Sequence, residues 1–131
     1  MADREWASQQ PEEALRKAAE AGDAATVHKL IAGRPALLDE KDKHGRTALI
    51  WAAHNGHLQI AEALVDAGAD LDLQDSYGFT ALYCAAYSNK PAVVRLLVGR
   101  GADQTIKGSR GETAREHAAR NGSAECADLL R

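Results

Sequence analysis

Aromatic residues are scarce: two Trp, three Tyr and one Phe make up 5% of the 131 residues. Alanine, leucine and valine must therefore supply most of any core, and such small side chains suit helices packed closely together. Cysteine is rarer still. Cys84 and Cys126 form no Cys-x-x-Cys pair, and reduced thiols in a cytoplasmic compartment, with the nucleus also open, are the expected state. No apolar run approaches the ~18 residues of a membrane span, and the start, MADREWASQQ, has no apolar signal core. An excess of positive charge is missing too. The formal net charge is −3, which disfavours a general nucleic-acid binder but leaves room for a local basic face.

What is present is a repeat. GRTALIWAAHNGH, starting at Gly45, returns 33 residues later as GFTALYCAAYSNK and again as GETAREHAARNGS. Gly45, Gly78 and Gly111 keep this spacing, as do Thr47, Thr80 and Thr113 and the pairs Ala52-Ala53, Ala85-Ala86 and Ala118-Ala119. Gly68-Ala69-Asp70 recurs as Gly101-Ala102-Asp103. A divergent first copy fits at offset 34, with Ala18-Ala19 and Gly22 ahead of Ala52-Ala53 and Gly56, and the extra residue falls in GRPALLDEKDKHG.

Each copy reads as turn, helix, tight turn, helix. The three threonines suit N-caps, and Glu116 completes a capping box with Thr113. Gly56, Asn89 and Gly122 suit left-handed helix ends, and Pro91 the first turn of the next helix. In the second helix, Leu58, Ala61, Leu64 and Val65 form an apolar stripe opposite Gln59, Glu62 and Asp66. Val94, Leu97 and Val98 repeat it, and Gly68 and Gly101 stop these helices. One helix pair cannot bury its own apolar face, whereas stacked copies can.

At these residues the chain resembles the ankyrin-repeat family, whose pattern is roughly D-x-x-G-x-T-P-L-H-x-A-A followed by an outer helix ending in G-A-D. The likeness spans about residues 11–131 and is closest from Asp42 to Asp75. A weaker similarity to myotrophin-like proteins runs from Gly101 to Ala114. The resemblance implies an all-α solenoid of stacked helix-turn-helix pairs. Residues 1–10 form a flexible N-terminal segment, 11–41 an N-terminal cap, 42–74 and 75–107 two full repeats, and 108–131 a C-terminal cap. Trp6 is placed to fold back on the first pair, and the last helix carries Glu125 and Asp128 outward. Departures are Ala48, Ala81 and Ala114 for proline, Ile50, Tyr83 and Glu116 for the motif histidine, and Gly108 for the turn aspartate kept at Asp42 and Asp75. Tyr83 or Glu116 is a candidate to replace one link that the histidine makes between turns.

No catalytic constellation emerges. His54 and His57 are three apart, but Gly56 ends the helix between them, so they do not share a face for a metal ion. Cys84 and Cys126 read as buried structural thiols with no charge to favour a thiolate. GRGAD and GSRGET lack the lysine and the strand-glycine-helix context of a phosphate loop. The expectation is a non-catalytic monomer without cofactor or metal.

What the resemblance implies for function lies on the turn tips and the inner-helix ends. The matching positions are Lys43, His44, Arg46, His54 and Asn55 in the second copy, and Ser76, Tyr77, Phe79, Tyr87 and Ser88 in the third. The last copy adds Arg110 and Arg120, with Ser109 and Glu112 beside them. Tyr77, Phe79 and Tyr87 gather half of the six aromatics on one face, where tyrosine favours binding. Lys41, Lys43, Arg46, Lys107, Arg110 and Arg120 face only Glu112 in this tally, so the charge is polarised. The expected partner is another protein with an acidic surface and an apolar anchor. Alternatives are electrostatic binding of nucleic acid or anionic lipid by the basic tips, or a repeat fragment of a longer scaffold.

Overall fold

The computed structural model describes residues 11–32 and 34–131, with only the backbone described at Pro35. The expectations for residues 1–10, a flexible segment with Trp6 folded back, lie outside the described residues. Eight α-helices and no strands occur among the described residues, arranged as four antiparallel pairs. The pairs are α1 (Pro11–Ala21) with α2 (Ala24–Ile31), α3 (Ala48–Asn55) with α4 (Leu58–Asp66), α5 (Ala81–Tyr87) with α6 (Pro91–Gly99), and α7 (Ala114–Arg120) with α8 (Ala124–Leu129). The odd helices stack into an inner layer and the even ones into an outer layer, each touching the equivalent helix of the next pair. This is an all-α repeat solenoid.

Helix starts and stops follow from side-chain chemistry. The hydroxyls of Thr47, Thr80 and Thr113 accept from the backbone N–H groups of Ile50, Tyr83 and Glu116 at 3.3, 3.1 and 3.2 Å. Glu116 returns a bond from Thr113 N–H at 2.9 Å, completing the capping box. Each such cap is worth about 1 kcal/mol. At the inner-helix ends, Gly56 adopts φ 73° and Asn89 φ 55°. Asn89 is the one non-glycine residue with positive φ among the described residues. Pro91 occupies the first turn of α6, where a missing N–H is no loss.

The core differs from the sequence reading in which outer-helix residues it takes. Ile60, Ala61 and Leu64 are buried in α4, and Val93, Val94 and Leu97 in α6. Leu58, Val65 and Val98, which the stripe included, are only half-buried and pack at its edge. The inner face is set by the i, i+1, i+4 triplet that points at the inner layer, which rotates the stripe by about one residue. The alanine pairs at 52–53 and 85–86 are fully buried. In the last copy Ala118 is buried but Ala119 is exposed, because α7 has an inner-layer neighbour, α5, on one side only.

The connection between Ile31 and Ala48 absorbs the extra residue of the first copy. Helix α2 starts 34 residues before α4, while α3 starts 33 before α5, and a single 3-10 turn at Pro35–Leu37 lies between them. The next two connections project as tips. Each tip folds on itself, as where Gly78 N–H donates to Asp75 O at 2.9 Å and Asp75 N–H to Phe79 O at 2.9 Å. Tips also join one another. Ser76 N–H donates to His44 O, and Ser109 N–H to Tyr77 O, both at 2.9 Å.

Candidate functional site

The inner helices and the tips enclose a cleft of about 390 Å³ across the second, third and fourth pairs. Ile50, Tyr83 and Cys84 come from the helices, and Phe79 and Asp75 from the middle tip. Tyr77 and Tyr87 also line the cleft and stay 57% and 48% exposed, the large hydrophobic side chains left open to solvent among the described residues. Arg46, Trp51, His54, Ser109 and Arg110 complete the lining.

Six of the residues expected from sequence meet here: Arg46, His54, Tyr77, Phe79, Tyr87 and Arg110. Lys43, His44, Asn55, Ser76, Ser88 and Arg120 do not line the cleft. Asn55 is engaged between copies, its Nδ2 donating to Glu20 O at 3.1 Å. His57 lies nearby on the same carbonyl, with Nε2 3.0 Å from Glu20 O. Ser88 Oγ lies 2.9 Å from His54 Nδ1 and steadies that ring at the rim. His44 and Ser76 form the tip-to-tip backbone bond, and Lys43 lines a second, polar groove beside Trp51.

The aromatic floor is ordered by stacking. Phe79 and Tyr83 lie 4.5 Å apart with rings only 4° from parallel, and Tyr77 follows at 6.2 Å. Phe79 reaches this place because residue 108 is glycine. A Cβ there would sit 2.5 Å from the Phe79 ring. Sequence comparison marked Gly108 as a lost aspartate. The structure shows it as the gap into which an aromatic ring fits.

Tyr83, which stands at the motif-histidine position, makes a link between copies. Its hydroxyl donates to Glu112 Oε1 at 2.8 Å, joining the third pair to the fourth tip. Glu116 instead stays within its own capping box. Glu112 also accepts from Arg120 Nη2 at 2.8 Å, Arg120 Nε at 3.1 Å and His117 Nδ1 at 2.9 Å. Arg120, then His117 and Tyr83, hold the Glu112 carboxyl down at about 2. Burial first, then the bond to Glu112, pushes the Tyr83 phenol up to about 12.

Sequence reading missed Trp51 in the lining of the cleft and His117 behind its tyrosines. His117 is 1% exposed, stacks on Tyr87 at 4.9 Å and lies tilted against Tyr83 at 5.2 Å. Asn121 Nδ2 lies 2.7 Å from its Nε2, and Arg120 Nη2 lies 3.1 Å from its Nδ1, so both ring nitrogens have polar neighbours. A histidine three residues beyond an alanine at a helix start carries no signal of its own. Its ring contacts, Tyr83 and Tyr87, sit on the preceding pair and become visible only once the copies stack.

The basic face is weaker than the tally suggested, because Asp42 and Asp75 belong to the same tips. Arg46 Nε lies 3.8 Å from Asp75 Oδ2, and its guanidinium sits 4.9 Å over the Trp51 ring. Trp51 Nε1 in turn donates to Asp42 Oδ2 at 3.2 Å. Lys41 Nζ donates to Gln74 O at 2.9 Å, and Arg120 is held by Glu112. Arg110 is exposed and makes no hydrogen bond or ion pair with any described residue.

Burial, with the charge of Asp75 adding to it, pushes the Cys84 thiol up to about 12. At neutral pH such a thiol is a poor nucleophile. Cys84 and Cys126 are both free and buried. No group of three His, Cys, Asp or Glu side chains is placed to hold a metal ion among the described residues. No helix among them is long and apolar enough to cross a membrane.

The comparisons with known proteins agree with this architecture. Inversin from Canis lupus familiaris is 45% identical over 49 residues, 37% of this chain and 4% of that protein. Human NAD-capped RNA hydrolase NUDT12 is 41% identical over 49 residues, 37% of this chain and 11% of that protein. The acyl-CoA-binding domain-containing protein 6 homolog of Dictyostelium discoideum is 40% identical over 48 residues, 37% of this chain and 17% of that protein. The chain thus spans a small fraction of the curated relatives it matches. Ankyrin repeats are generic protein-protein interaction modules and typically non-catalytic. Since the profile of ankyrin repeats in three copies matches residues 15–108, and the stacked helix pairs carry its turns and caps, the chain belongs to the ankyrin-repeat family.

Proposed function

We propose that this chain is a non-catalytic module that binds another protein through its concave face and turn tips, as an adaptor, inhibitor or assembly factor. The observation that carries this reading is the pair of exposed tyrosines, Tyr77 and Tyr87, beside a preformed cleft. Tyrosines in such places give large contact area and a polar tip at little entropic cost. The stacked floor needs no reordering on binding, which favours affinity. The partner presents an apolar anchor to the floor and an acidic surface to the tips, where Lys43, Arg46 and Arg110 lie. The module acts in the cytoplasm as a monomer.

Purely electrostatic binding of nucleic acid or anionic lipid is the weaker reading. Arg46 and Arg120 already face Asp75 and Glu112, so little unspent charge remains to track a phosphate backbone. The test is affinity capture with the wild-type chain against Tyr77→Ala and Tyr87→Ala, with Gln59→Ala and Glu62→Ala on the outer helix as controls. A captured partner is expected to lose about 1–3 kcal/mol of affinity with each tyrosine change and to keep it with the controls. The reverse pattern, or binding that vanishes between low and physiological salt, rejects the reading.

A further inference from the structure

We infer that the cleft reads a short extended acidic segment by two points: a large apolar side chain laid against Tyr77, Phe79 and Tyr87, and a carboxylate taken by Arg110. This inference rests on the cleft being the protein-binding site and adds which cation is available and where the acid must stand relative to the anchor.

The charges already committed within the protein decide which cation is left for a ligand. Two arginines line the cleft, Arg46 and Arg110. Arg46 is occupied from two sides, by Asp75 at 3.8 Å and by the Trp51 ring at 4.9 Å. Drawing it to a ligand would leave the Asp75 carboxylate, whose side chain is 1% exposed, without that partner. His54 is engaged with Ser88. Arg110 has no partner among the described residues, and the backbone of its neighbour Ser109 is pinned to Tyr77 O at 2.9 Å. The free guanidinium is thus carried on a tip tied directly to the one that presents the exposed tyrosine. A planar guanidinium with five donors suits a carboxylate.

The apolar point follows from the floor. Phe79 and Tyr83 are stacked on one another, and Tyr87 is backed by His117. Tyr77 and Tyr87 therefore present ring surface already fixed in place to one inserted side chain. A space of about 390 Å³ is large enough to take such a side chain together with the backbone that carries it. The committed Arg46 closes the second-copy side, so the acid lies on the fourth-copy side of the anchor. A cationic anchor is disfavoured by both arginines.

Random dodecapeptides displayed on phage, selected on the folded 131-residue chain, test this without a known partner. The expected pool is enriched for an aromatic or large aliphatic residue within a few positions of Asp or Glu. A synthetic consensus peptide should bind Arg110→Glu at least tenfold more weakly, and its Glu→Lys version should regain that loss on Arg110→Glu. Lys29→Glu on the outer helix should change its affinity less than twofold, and circular dichroism confirms that each variant is folded. A pool without acid enrichment, or one indifferent to Arg110→Glu but weakened by Tyr87→Ala, overturns the two-point reading and leaves the cleft as a binding site. A pool indifferent to Tyr77→Ala and Tyr87→Ala overturns both. Displacement of the peptide by single-stranded oligonucleotide, lost in Arg110→Glu, assigns the cation to nucleic acid and overturns the inference.

Discussion

The tips that begin at Asp75 and Gly108 follow the same backbone path with different chemistry. Both close with the same pair of backbone bonds, Gly78 N to Asp75 O and Gly111 N to Gly108 O, each 2.9 Å. In the first, Asp75 Oδ1 also accepts from Tyr77 N–H and Phe79 N–H at 2.9 Å. In the second there is no side chain to accept anything, and the Phe79 ring fills the place. The path is therefore set by the glycine and the backbone bonds. The residue that opens the tip is free to brace it or to make room for a neighbour.

Removing the brace gives the largest expected effect. Asp75→Ala strands two N–H groups and the Arg46 guanidinium around a buried site, and is expected to cost about 3 kcal/mol in urea denaturation at neutral pH. A cost below about 1 kcal/mol would mean that the tip holds itself without the carboxylate.

Giving the fourth tip the family's aspartate sharpens the contrast. Gly108→Asp would stabilise if bracing dominated. With a Cβ 2.5 Å from a ring that is itself stacked on Tyr83, it is expected to destabilise by about 2 kcal/mol. Combining it with Phe79→Ala should recover much of that loss relative to Phe79→Ala alone, a positive coupling measurable in a double-mutant cycle.

The fourth tip has its own brace in Glu112, and acid removes it. Its carboxyl is depressed to about 2, first by Arg120 and then by His117 and Tyr83. A depressed carboxyl contributes stability that is fully present above its unfolded value, near 4.5, and is lost as pH falls through about 2. Glu112→Gln is expected to be less stable than wild type at pH 7, with the gap closing between about pH 4.5 and 2. Urea midpoints across that window check the sign. The smallest change, Tyr83→Phe, keeps the stack and deletes one bond to Glu112. A loss of about 1 kcal/mol is expected, and no loss would show Arg120 and His117 to be sufficient.

Much of the frame was legible because its causes are local. Thr47, Thr80 and Thr113 cap their own helices, and Gly56 and Asn89 take their own left-handed backbone, so a single stretch of sequence contains both cause and effect. The stripe in α4 was read one residue off because nine residues with adjacent apolar positions fit two neighbouring faces. The site was legible in part. Tyr77 and Tyr87 follow from register and exposure, whereas the packing of His117 on Tyr83 and Tyr87 and the fit of Phe79 over Gly108 depend on residues about one repeat away. The charge tally overlooked Asp42 and Asp75, whose carboxylates are turned inward to neighbouring N–H groups and side chains.

The two bonds between tips make each seam separately observable over time. Ser76 and Ser109 are solvent-exposed residues, yet their amide protons are held by the preceding tip. Each proton can trade for deuterium only when its own seam parts, so its exchange rate dates that event and no other. If Ser109 exchanges faster than Ser76, the stack peels from its last pair. Equal rates would mean that both seams open together, as one cooperative unit.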